Sequence, residues 1–148
     1  MRKVLTVAAV MGLLASGSAL AGDQATGWRN WADHAERVMT AVKTGDRSQI
    51  DAACMGTTRT MISQGFQFPY WAQMLPQFCG VVQTGTTKRE VTLRGWMMEC
   101  KKLRGVKNDL AKAKPVDVEP RAKPLADDMA AVLGVIDEAQ CSHPPRRH

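Results

Sequence analysis

Apolar residues recur along this chain at helical spacing, in runs punctuated by glycine and proline. Trp28, Trp31, Ala32, Ala35, Val38, Met39 and Val42 fall on one face of a 3.6-residue repeat, while Arg29, Asp33, His34, Glu36, Arg37 and Lys43 fall off it. The pattern predicts an amphipathic helix of about four to five turns, closed by Gly45. A second helix is expected from near Asp46, where Ser48-x-x-Asp51 resembles a capping box, to Gly65. Its apolar face would carry Ile50, Ala53, Cys54, Thr57 and Met61.

Phe66 to Cys79 is aromatic and proline-marked. Pro69 suits the first position of a short helix, and Pro76 is expected to break or kink it. Gly80 to Thr87 resembles a phosphate-binding loop but has threonine where lysine belongs and no strand before it, so it reads as a flexible turn. The longest helix is expected from about Lys88 to Lys112, capped by Thr87-x-x-Glu90. Its buried stripe would be Leu93, Trp96, Met97, Cys100, Leu103, Val106 and Leu110. Lys114 to Lys123, with Pro115 and Pro120, reads as a linker. Pro124 then opens a last helix with Asp127 and Asp128 in its first turn, and Leu125, Met129, Val132, Leu133 and Ile136 as its stripe. No strand pair or internal repeat is evident. The expectation is all-α: a small bundle of four to five helices.

The N-terminus changes the compartment. Met1-Arg2-Lys3 is positive, Val4 to Leu14 is an apolar core too short for a membrane span, and Ala19-Leu20-Ala21 fits signal-peptidase cleavage. The organisation expected is therefore a signal peptide over 1–21, a single helical domain over 22–141, and a disordered basic tail over 142–148, in a periplasmic or secreted protein. Removing 21 of 148 residues leaves 127, enough for one domain with a sizeable core. In an oxidising compartment, the even set Cys54, Cys79, Cys100 and Cys141 reads as two disulfides. Three pairings are open. If the last two helices run antiparallel, Cys141 comes level with Cys100 and leaves Cys54 for Cys79. That pairing is favoured, with Cys54–Cys100 plus Cys79–Cys141 next.

Charge adds little. The net +6 of the full chain falls to +4 without Arg2 and Lys3, and the excess is dispersed apart from Lys101-Lys102-Leu103-Arg104 and the tail. Without a basic stripe interleaved with aromatics, no nucleic-acid partner is expected. The catalytic inventory is thin as well. His34 reads as a solvated histidine near Asp33 and Glu36, serine is scarce, and no Cys-x-x-Cys exists. Methionines at 55, 61, 74, 97, 98 and 129 admit a copper site but read better as core filler.

One stretch stands out. Phe66, Phe68, Tyr70 and Trp71 sit on a short irregular element, where rigid aromatics make protein-binding anchors; the competing reading has them plugging the end of the bundle. The functional expectation is a soluble, exported binding protein engaging a protein of the cell envelope. Inhibitor or immunity protein, chaperone, and secretion or conjugation accessory factor are the roles considered. No cofactor, metal or membrane span is expected, and the balance is against an enzyme. One alternative is an exported hydrolase or toxin using His34 with an acid; another is a copper-handling protein. Partner identity and oligomeric state stay open.

Overall fold

The computed structural model describes residues 24–62, 66–85 and 92–145, and no strand occurs among them. The expected signal peptide, the capping box at Thr87 and Glu90, and the last three residues of the tail lie outside the described residues. The first amphipathic run is helix α1, over 24–44, and its predicted stripe from Trp28 to Met39 is buried. It stops at Gly45, whose φ of +69° a side chain would disfavour. Asp46 then caps α2 (Arg47–Cys54), its carboxylate accepting from the Gln49 amide at 3.2 Å.

The single helix expected over 46–65 is in fact two. Met55 and Gly56 interrupt it, with Gly56 at φ +77°, before α3 (Thr57–Ile62) begins. Cys54 and Thr57, on either side of the break, are both buried.

Pro76 does not break the next helix. A 3-10 turn at Ala72–Met74 leads into α4 (Leu75–Gly85), and Pro76 is its second residue. There its missing amide has no intrahelical acceptor to lose. The turn expected over Gly80 to Thr87 is accordingly helical as far as Gly85. Helix α4 buries Leu75, Phe78, Cys79, Val81 and Val82 and touches α2, α3, α5 and α6, which places it at the centre of the bundle.

Helix α5 (Leu93–Leu110) starts later than expected, because Thr92 is extended and its hydroxyl accepts from the Gly95 amide at 3.1 Å. Only Cys100, Leu103, Val106 and Leu110 of its stripe are buried, whereas Leu93 and Met97 face solvent. Helix α6 (Ala122–Cys141) begins two residues ahead of Pro124, so Asp127 and Asp128 lie beyond the first turn. Arg104 and Lys107 both reach Asp137, at 3.0 and 3.1 Å, and Cys100 meets Cys141, so α5 and α6 run antiparallel. Theirs is the most extensive pairing among helices α2 to α6.

Both favoured disulfides form. Cys54–Cys79 joins the end of α2 to α4, with Cα atoms 5.7 Å apart, and Cys100–Cys141 joins α5 to α6 at 5.8 Å. The expected linker is packed rather than loose. Glu119 and Ala122 are buried, and Glu119 binds Arg121 bidentately at 2.7 and 2.9 Å. Arg121 also reaches Asp33 at 2.8 Å and Glu36 at 3.2 Å, fastening this segment to α1. Three carboxylates around one guanidinium raise the pKa of Arg121, first through Glu119 and then Asp33, and the same contact lowers that of Glu119.

Candidate binding site at the aromatic element

The aromatic element lies against α1, and the two share one cluster of rings. Phe68 meets Trp28 edge-on at 5.0 Å between centroids, and Trp71 stacks on Trp28 at 5.5 Å while meeting Trp31 edge-on at 5.8 Å. Phe66 packs on Phe68 at 4.5 Å and lies over Gly27, where a Cβ would collide with its ring. These offset and edge-on geometries are the ones ring quadrupoles favour. The Trp31 indole N–H donates to the Ala72 carbonyl at 2.9 Å, so the largest fully buried side chain leaves no orphaned donor.

The four aromatic candidates therefore divide. Phe68 and Trp71 are buried, Phe66 is half-buried, and Tyr70 stands 65% exposed between Pro69 and Trp71. Its backbone is held tightly. The amides of Ala72 and Gln73 bond the Pro69 and Tyr70 carbonyls at 3.0 and 3.1 Å, and the Gln73 side chain donates to the Phe68 carbonyl at 2.7 Å. Tyr70 is thus an exposed ring on a fixed mount.

His34 is not the solvated group its position on the polar side suggested. It is 4% exposed, because α3 folds across it. The Arg37 guanidinium lies 3.2 Å from Nδ1 and can only donate, so Nδ1 accepts and Nε2 carries the proton. Nε2 then donates to Thr57 Oγ1 at 2.7 Å, and the Thr57 hydroxyl donates to the Cys54 carbonyl at 2.6 Å. Burial first, and the Arg37 charge second, hold the imidazole pKa below its ordinary value. The chain of donors joins α1 to α3 beside the Cys54–Cys79 disulfide, and neither partner of His34 is an acid.

Three methionines expected to be core filler are exposed: Met55 in the break after α2, and Met97 and Met98 on α5; Met74 and Met129 are buried. Among the described residues, no group of three or more histidine, cysteine or acidic side chains is placed to hold a metal ion. A half-open cavity of about 60 Å³ borders the Cys100–Cys141 disulfide, walled by Val81, Trp96, Leu103 and Gln140. The Arg121 tie, whose Asp33 partner lies 88 residues away, and the exposure of Met97 and Met98 also escaped the sequence. A helical stripe locates a face but not the width of what covers it.

No protein-family model matches this chain, and no curated protein or solved structure matches it either. The functional reading rests on its own residues.

Proposed function

We propose that this chain is an exported, disulfide-stapled helical protein that works by holding a protein partner, with Tyr70 as its anchor. The observation that carries the reading is the fixed exposure of Tyr70. A tyrosine offers large amphipathic contact area with few rotatable bonds, and one whose backbone is already ordered loses little entropy on binding. Anchors of this kind carry a large share of interface energy. The two disulfides agree with export, since such bonds persist in oxidising compartments. No helix among the described residues is long and apolar enough to cross a membrane.

The test uses the oxidised protein immobilised against an extract of its own cell envelope. Wild type should retain a discrete protein, and Tyr70→Ala should weaken that retention about thirtyfold or more, corresponding to roughly 2 kcal/mol, without a shift in melting. Equal retention by both would remove Tyr70 from the binding surface.

A further inference from the structure

The outward face of α5 is the least explained surface of the molecule. At 100° per residue, Arg94, Lys101 and Gly105 point directly away from the buried line of Leu103, Val106 and Leu110. Met97 and Met98 flank Arg94 and Lys101 on either side, 58% and 64% exposed. Lys102 turns toward α4, its ammonium near Gly80. No acid interrupts this face: of the two on α5, Glu99 lines the cavity toward α4, and Asp109 lies near the far end of the helix, paired with Lys112. Arg104, at the edge, is held by Asp137, whereas Arg94 and Lys101 have no ion pair with an acid among the described residues.

We infer that this face docks on an anionic phospholipid surface. Its charge is of one sign, its exposed apolar groups are flexible thioethers able to enter the headgroup boundary, and its shape is the convex side of a single helix. A folded protein would need a preformed groove to receive it, whereas a fluid bilayer conforms to it. The basic side chains supply the attraction, and Met97 and Met98 supply shallow apolar insertion. Tyr70 stands on the aromatic element and these residues on α5, so variants of the two can be compared independently.

The decisive experiment is sedimentation of the disulfide-intact full chain with vesicles of phosphatidylcholine containing one-third phosphatidylglycerol, against vesicles of phosphatidylcholine alone. Each basic residue near an anionic surface is worth about 1 kcal/mol, or roughly fivefold in partitioning. Wild type should prefer the anionic vesicles and be released as salt rises toward about 1 M, where the Debye length falls to about 3 Å. Arg94→Ala with Lys101→Ala should lower partitioning about twenty-five-fold, and Met97→Ser with Met98→Ser should lower it at unchanged charge. Tyr70→Ala should partition as wild type. All these positions are exposed, so melting should not change. Indifference to phosphatidylglycerol, equal binding by the Arg94/Lys101 variant, or capture of soluble polyglutamate in place of vesicles would each overturn the inference.

Discussion

His34 and Arg121 show how single side chains tie this fold to pH. The neutral imidazole of His34 is the form that accepts from Arg37 and donates to Thr57, and its pKa is lowered from the ordinary 6.5. The unfolded chain then binds the proton more readily than the folded one. The stability it contributes is complete above about 6.5 and is lost as pH falls toward the folded value. His34→Ala should therefore lower stability by about 1–3 kcal/mol at neutral pH, by leaving buried polar groups unpaired, and should flatten the decline between about pH 7 and pH 5. Denaturant titrations at both pH values check this; a parallel decline in the variant would exonerate His34. Glu119 acts in a lower window. Its pKa is depressed from 4.5, foremost by the hydrogen bond from Arg121, so its contribution is present above that value and lost as pH falls through the folded one. Arg121→Ala should cost about 1–3 kcal/mol at neutral pH, since Glu119 would remain buried without its partner. A change below about 0.5 kcal/mol would mean that water replaces the guanidinium.

At the scale of elements, what was legible in the sequence was each helix's apolar face, and what was not was where backbone geometry overrides the stripe. The faces of α1 and α6 could be read because Trp31 and Leu133 sit in unbroken periodic runs, and both are fully buried. The break at Met55-Gly56 could not, because Cys54, Thr57 and Met61 keep helical spacing across it. Pro76 misled because a proline interrupts a helix only past its first turn, and the start at Leu75 leaves no pattern of its own. The burial of His34 was hidden because α3, from another part of the chain, covers it. Of the candidate site, the element was legible, but not which ring points out of it. Two glycines test the backbone account. Gly56 has positive φ, so Gly56→Ala should destabilise by about 1–2 kcal/mol even though nothing lies within 4 Å of the added carbon. Gly105, inside α5 and equally unobstructed, should instead gain about 0.5–1 kcal/mol on replacement by alanine. Equilibrium unfolding of the two variants reads both signs.

At the scale of the whole molecule, two cross-links and one aromatic cluster hold the six α-helices of the described residues around α4. The cross-links span 25 and 41 residues, and chain entropy alone assigns them about 3.5 and about 4 kcal/mol. Reduction should therefore remove much of the stability of a domain this size, and a melting temperature unmoved by reductant would contradict that role. The pairing was legible because an antiparallel pair of helices brings Cys141 beside Cys100. The central claim is a division of labour within the four positions from 68 to 71: the rings of Phe68 and Trp71 hold the fold, and that of Tyr70 is kept free of it. Unfolding free energies of Trp71→Ala and Tyr70→Ala, determined side by side on the oxidised protein, test it most directly. Trp71→Ala should lose about 3–5 kcal/mol, as truncation of a buried aromatic does, and Tyr70→Ala less than about 0.5 kcal/mol, as surface changes do. Comparable losses at both positions would place Tyr70 in the core and contradict the account.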